Sequence, residues 1–372
     1  MSESVRTRPG GSARPLHEAY DTALLDLDGV VYAGGEAIAY AAESLEVARS
    51  AGMHLAYVTN NAFRTPQTVA EHLTSLGVPA EPGDVITSAQ AVARLISEHV
   101  PAGAQVLAIG GEGLWVALRE RGLVPVDSAD EDIAAVVQGY GGPKQTWDRL
   151  MEAGYAVARG VPWYASNTDL TIPTGRGIAP GNGAAVEVVR FAAGGAPQVA
   201  GKPQPPMHRE TILRTAAERP LVVGDRLDTD IEGAHGGGVD SLLVLTGVTT
   251  PAQLLAAEPE HRPTFVAADL RGMLTAHPEV EVRAGGAEFA CAGWTASVRD
   301  AEAVIEGSGD PLDGLRALCA ATWTAGTAAN EGGEGQGAGA ARRAGGSGPG
   351  LSAAHRDGDR INADKALARL GW

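Results

Sequence analysis

The chain has 372 residues, and 45 acidic against 29 basic side chains give it a net charge of -16. That length suits about two to three domains, and 44% hydrophobic with 20% charged residues fits a folded chain rather than a disordered one. The acidic balance excludes a non-specific nucleic-acid or anionic-membrane binder, whose electrostatics need a basic face.

The first residues carry Arg6, Arg8 and Arg14 but no apolar stretch, so no secretory signal is visible. No apolar run approaches the roughly 20 residues a membrane span needs. Cys291 and Cys319 make neither a disulfide framework nor a zinc-ligand set. The expected compartment is the cytoplasm, and self-association is left open. The first strong signal is Ala23-Leu24-Leu25-Asp26-Leu27, a buried parallel strand closed by Asp28-Gly29. Ala39 to Ser50 reads as a helix with Gly52 past its end, and Met53 to Val58 as a second strand broken off at Thr59-Asn60-Asn61. Thr65-Pro66 opens the next helix in the cap-then-proline order, and Gly77 closes it. This alternation belongs to a parallel sheet with crossover helices. It returns late in the chain, with a strand at Leu221 to Gly224, a helix from Asp228 to His235 and a strand from Ser241 to Leu245.

Between the two halves lies more α/β chain. Strands are expected at Gln105 to Ile109 and Ala134 to Val137, with helices at Glu112 to Arg121 and Gln145 to Arg159. The economical reading is a doubly wound, Rossmann-like parallel-sheet core, residues 20–92 and 184–275, interrupted by an inserted α/β cap at 93–183. A flexible N-terminus covers 1–19. A small C-terminal α+β appendage is expected at 280–324, then a Gly/Ala-rich linker at 325–354 and a short helix within 355–372.

Chemistry concentrates at strand ends. Asp26 and Asp28 lie two residues apart, and alternate strand side chains share a face, so both can point into the crevice at the sheet's carboxyl edge. Asp-Gly is also a common turn pair. Thr59, Asn60 and Asn61 end the second strand at the same edge, where hydroxyl, amide and backbone N–H groups can hold phosphate oxygens or simply cap a turn. Lys202 precedes a helix and can neutralise an anion. Gly224-Asp225-Arg226-Leu227-Asp228-Thr229-Asp230 places acids at the end of a buried strand, where oxygen ligands suit Mg²⁺; acids at a helix start also favour its dipole.

In this order, Asp-x-Asp-Gly, Thr-Asn, Lys and Gly-Asp resemble the four motifs of the haloacid dehalogenase superfamily. Asp26 to Tyr32, Thr59 to Asn61 and Val223 to Ile231 are similar to its class IIA phosphatases, the p-nitrophenyl phosphatase, phosphoglycolate phosphatase and glycerol-3-phosphate phosphatase relatives. The likeness spans about Tyr20 to Met273. Ser166 to Asp169, Pro173 and Gly181-Asn182-Gly183 resemble the class IIA cap's return to the core. The C-terminal segment resembles the acetyltransferase-like appendage of actinobacterial glycerol-3-phosphate phosphatases, without an acetyl-CoA pyrophosphate loop.

The resemblance implies Asp26 as a nucleophile forming an aspartyl-phosphate and Asp28 as acid/base. It implies Thr59, Asn60, Asn61 and Lys202 at the phosphoryl group. Mg²⁺ would be held by Asp26, the Asp28 carbonyl and Asp225, with Arg226 and Asp230 behind them. Asn167 and Asp169 would meet substrate from the cap. The expected partner is a small phosphorylated metabolite, with glycerol 3-phosphate first and phosphoglycolate or a broad range of aryl, sugar and nucleotide esters as the alternative. Ile172 stands where pyridoxal-phosphate relatives carry His. The non-enzymatic rival is a receiver-like module that stores phosphate on Asp26; Asp28 and the cap speak against it.

Overall fold

The structure, a computed structural model, describes residues 5–129, 132–333 and 361–372. Six parallel strands form the first sheet, in the spatial order Phe265–Ala267, Asp240–Val244, Pro220–Gly224, Thr22–Leu25, His54–Thr59 and Val85–Thr87. Every residue of Thr22–Leu25 is buried, as a strand covered on both faces requires. Leu25 pairs with Val223 on one side and Tyr57 on the other, so the central strands finish side by side at their carboxyl ends. Thr65 caps the Pro66–Ser75 helix by accepting the Thr68 N–H at 3.2 Å, and Gly77 beyond its end takes φ 82°, a left-handed conformation suited to glycine.

One expectation needs correcting here. The first strand ends at Leu25, and Asp26 and Asp28 lie in the turn beyond it, where Val31 and Tyr32 donate back to the Leu27 carbonyl at 2.9 and 3.2 Å. A tight turn, not strand alternation, sets the directions of the two acids.

The inserted unit is a second parallel sheet in the order Gln198–Val199, Trp163–Ala165, Ala135–Gln138, Gln105–Ile109, Val124–Val126. A hairpin, Thr171–Thr174 with Gly177–Pro180, extends from it. The expected return to the core at 184 is too early. The Asn182–Ala193 helix packs on the Trp147–Ala158 helix of the insert, and Gln198 and Val199 pair with Tyr164 and Ala165.

At the other junction the Ser88–Ser97 helix serves both sheets. Its Thr87–Gln90 capping box fixes its start, and it packs on Glu112–Glu120 of the insert and Pro205–Thr215 of the core. Val92, Ala93 and Ile96 join Leu24, Ala56 and Val58 to Val106, Ala108 and Tyr164 in one apolar cluster that crosses the domain boundary. Beside it Glu210, fully buried, accepts from Arg94, from Arg121 at 3.0 Å and from Arg214 at 2.5 Å. Burial pushes the Glu210 carboxyl up, but Arg94 and Arg214 reverse this and hold it below the ordinary range.

Two terminal regions also depart from expectation. The N-terminal segment, read as flexible, is packed on the rest of the chain from Arg6 onward: Arg262 donates to the Arg6 carbonyl at 2.9 Å, Gly10 N–H donates to the Thr264 carbonyl at 2.7 Å, Ser12 bridges to His277, and Leu16 is fully buried. The appendage is a four-stranded antiparallel sheet, Glu281–Arg283, Glu288–Cys291, Trp294–Arg299 and Glu302–Gly307, covered by the Pro311–Gly333 helix. Its core is shared with the main sheet, since Phe289, Leu318 and Trp323 cluster with Leu243, Leu254 and Val266.

The expected linker therefore begins later than 325. The alanine-rich sequence favours helix, and Arg262 donates to the Thr327 hydroxyl at 3.0 Å, so the helix continues to Gly333. The rest of that linker lies outside the described residues. Asp364–Leu370 is the terminal helix, with Leu367 and Leu370 buried. Among the described residues no helix is long and apolar enough to cross a membrane.

Candidate active site

The site lies at the carboxyl edge of the core sheet, beneath the insert. Asp26 follows its strand directly, and its backbone N–H still donates to the Val223 carbonyl at 2.8 Å. Lys202 Nζ reaches Asp26 Oδ1 at 2.5 Å, Asp230 Oδ1 at 2.7 Å and the Val58 carbonyl at 3.0 Å. Burial works against the Lys202 charge, yet Asp230 and Asp26 hold its ammonium above the ordinary lysine range. Burial pushes the Asp26 carboxyl well up; Lys202 pulls it back, while Asp230 and Asp225 add to the push. Crowded acids around one cation make a centre short of positive charge.

Asp225, fully buried at the end of Pro220–Gly224, accepts the Val248 N–H at 2.6 Å through Oδ2, while Oδ1 has no partner among the described residues. Burial and then Asp230 raise its carboxyl to about 6. Gly29 makes this approach possible. It takes φ 86°, and a Cβ there would lie 2.5 Å from Asp225 Oδ2. One carboxylate oxygen each from Asp26, Asp225 and Asp230 lie within 4.8 Å of one another. An orphaned buried oxygen among hard oxygen donors fits a Mg²⁺ ion, so the cluster can hold one.

Asp230 differs in role from Asp225. Its Oδ1 is engaged by Lys202 and its Oδ2 by the Arg226 N–H at 3.2 Å, so it chiefly orients its neighbours. Arg226 itself forks onto Asp228 at 3.1 and 2.8 Å. Asp28 stands at the exposed rim of the same turn. The protein around it raises its carboxyl above the usual range, against the charges of Arg64, Lys202 and His72.

The Thr59–Asn61 segment is brought to the site, but its side chains are already engaged. Buried Thr59 accepts the Asn61 N–H at 3.1 Å, and Asn61 Oδ1 accepts from Phe63 and Arg64 at 2.9 and 3.0 Å, bracing the loop. Asn60 clamps Lys202, accepting its N–H at 2.8 Å and donating to its carbonyl at 3.2 Å. Its Nδ2 also reaches Asp169 Oδ2 at 3.3 Å, and its carbonyl accepts from Asn167 at 2.7 Å. Asn167 and Asp169 thus bring the cap onto the core loop. Burial raises the Asp169 carboxyl, with Arg226 and Asn60 opposing.

Sequence reading missed Arg64, whose charge faces Asp28, although an arginine five residues past Thr59 in the same polar loop is a usable signal. It also missed the Val58 carbonyl on Lys202, which no side-chain pattern announces.

This geometry defines a class: a capped α/β protein that gathers acids, a buried lysine and a metal-competent cluster around one strand-end aspartate. Comparison with known proteins agrees. The haloacid dehalogenase-like hydrolase model matches residues 23–124, a second hydrolase-like model of that group matches 199–273, and a GCN5-related N-acetyltransferase-like model matches 291–345. The chain is 41% identical to D-glycerol 3-phosphate phosphatase of Mycobacterium tuberculosis over 85% of this chain and 89% of that protein. Its structure is similar to glycerol phosphate phosphatase of M. tuberculosis in complex with magnesium, with TM-score 0.78 and 39% identity over 84% of this chain and 92% of the other. It also resembles p-nitrophenyl phosphatase from Archaeoglobus fulgidus, with TM-score 0.63 and 30% identity over 68% of this chain and 98% of that one. The chain belongs to the haloacid dehalogenase-like hydrolases, in their class IIA p-nitrophenyl phosphatase-like branch, and is a phosphomonoesterase of that family.

Proposed function

We propose that this phosphatase hydrolyses glycerol 3-phosphate. The observation that carries the reading is the 41% identity to a D-glycerol 3-phosphate phosphatase over 85% of the chain, a span that reaches beyond core and cap into the appendage. Asp26 is the nucleophile. It attacks phosphorus, the ester P–O bond breaks, and Asp28 gives its proton to the departing alkoxide. Water then attacks the aspartyl-phosphate, Asp28 takes the water's proton, and the bond from Asp26 to phosphorus breaks.

A proton must be available on Asp28 at the first step, and its raised carboxyl suits that duty. Lys202 holds Asp26 in place and offsets the charge of the arriving phosphate. Thr59 and the Asn60–Asn61 backbone border the phosphoryl group, while Asn60 fixes Lys202. Asp26, the Asp28 carbonyl and Asp225 would hold Mg²⁺, which when bound would offset negative charge at the phosphoryl group.

The test is kcat/KM with Mg²⁺ for glycerol 3-phosphate beside phosphoglycolate, a nucleoside monophosphate and pyridoxal phosphate. Glycerol 3-phosphate should lead. Any of the other three exceeding it by about tenfold overturns the substrate reading.

A further inference from the structure

Strand register brings a hydroxyl from outside the site against the phosphate-side loop. His54–Thr59 and Val85–Thr87 run parallel with Thr59 opposite Thr87, so Asn60 and Ser88, the next residues of each segment, emerge side by side. Serine at a helix start commonly serves as its cap. Here Thr87 already caps the Ser88–Ser97 helix through its box with Gln90, which leaves the Ser88 hydroxyl for another partner. That hydroxyl, on a fully buried residue, donates to the Asn60 carbonyl at 2.6 Å. The same carbonyl accepts from Asn167 of the insert at 2.7 Å. A carbonyl oxygen has two lone pairs, and this one is held from two sides, by the junction helix and by the insert.

What the held residue controls is Lys202. The Asn60 side chain accepts the Lys202 N–H at 2.8 Å and donates to its carbonyl at 3.2 Å, gripping the lysine by its main chain. Gly201 permits this closeness, since a Cβ there would come 2.6 Å from Asn60 Oδ1. At its other end Lys202 Nζ donates to Asp26, Asp230 and the Val58 carbonyl, three acceptors for the three donors of an ammonium. With both ends of Lys202 engaged in close packing, a shift of Asn60 is passed on to the contact with Asp26 rather than absorbed.

We propose that Ser88 is a positioning residue for phosphoryl transfer: through Asn60 it sets where Lys202 stands against Asp26. The inference rests on the reading of Asp26 as nucleophile with Lys202 beside it. It extends the reacting apparatus to a hydroxyl on the neighbouring strand's helix.

The experiment uses the full chain with Mg²⁺ and p-nitrophenyl phosphate, so that it does not depend on which natural ester is preferred. Ser88→Ala removes the hydroxyl and leaves a residue that favours helix. It should lower kcat about tenfold while KM stays within about twofold of wild type. Ser88→Thr keeps a hydroxyl and should recover at least about half of the wild-type kcat. Asn60→Ala removes the grip on Lys202. In that background Ser88→Ala should change kcat by less than about twofold, because the route from Ser88 to Lys202 is already cut. A purely structural role would not produce that loss of effect.

A kcat for Ser88→Ala within about twofold of wild type, or a change confined to KM, overturns this inference alone. So does a loss of the same size in folded Ser88→Thr, or an undiminished loss in the Asn60→Ala background. If either Ser88→Thr or Asn60→Ala does not fold, the other decides. Near-normal turnover by Asp26→Asn overturns the nucleophile reading and this inference with it.

Discussion

Asp26 is placed by a strand end, held by one lysine and crowded by two further acids, Asp225 and Asp230. On the proposed mechanism, Asp26→Asn removes the attacking oxygen while keeping the side chain's shape. It should lower kcat by roughly 10⁴ or more, with an unchanged far-ultraviolet circular dichroism spectrum; near-normal turnover would sink the covalent route. Asp225 carries an Oδ1 without a partner among the described residues, so the thermal midpoint of the wild type should rise with added Mg²⁺ by mass action. Asp225→Asn should abolish that rise, and an equal rise in the variant would place the metal elsewhere.

At the scale of elements, the boundary between core and insert is stitched rather than hinged. The Ser88–Ser97 helix packs on both, and Glu210 gathers arginines from three helices or their ends. Glu210→Ala leaves those arginines without their carboxylate. The cost should be about 3 kcal/mol, the lower end for a broken buried pair, because the Arg94, Arg121 and Arg214 side chains stay 25%, 26% and 29% exposed. Urea unfolding measures it, and a loss within error would show that the apolar cluster alone fixes the insert. The strand-end acids were legible in the sequence because buried apolar runs stopping at Asp or Thr-Asn are local signals. The clamp of Asn60 on Lys202 joins residues 142 positions apart, and nothing local marks it. The end of the insert is hidden for a related reason: the packing of the Asn182–Ala193 helix on Trp147–Ala158 and the pairing of Gln198 with Tyr164 both join residues distant in sequence.

Across the whole molecule, His277 ties three regions together. Its carbonyl accepts the Ser12 N–H at 2.8 Å, its Nε2 meets the Gly272 carbonyl at 2.8 Å, and its Nδ1 faces Arg316 of the appendage at 3.4 Å. Burial lowers its pKa from the usual value and Arg316 adds to the drop, against the hydrogen bond to Gly272. The folded chain thus favours neutral His277. Its contribution is present above the unfolded value of about 6.5 and is lost as pH falls through that value toward the depressed one. Thermal midpoints measured from pH 8 to pH 5 should fall more steeply for the wild type than for His277→Gln. Parallel curves would show that the charge on this ring does not matter to docking.

The order of strands in the main sheet has a bearing on how the chain is made. Thr22–Leu25 lies between His54–Thr59, its early neighbour, and Pro220–Gly224, which leaves the ribosome only after the entire insert. Until then a nascent chain holds half a sheet with one apolar edge unpaired, the kind of edge that invites wrong partners. On the proposed mechanism the same order keeps the half-made chain inert, since Lys202, Asp225 and Asp230 do not yet exist to meet Asp26. Translation must pass the last of them before any phosphate ester in the cell is at risk.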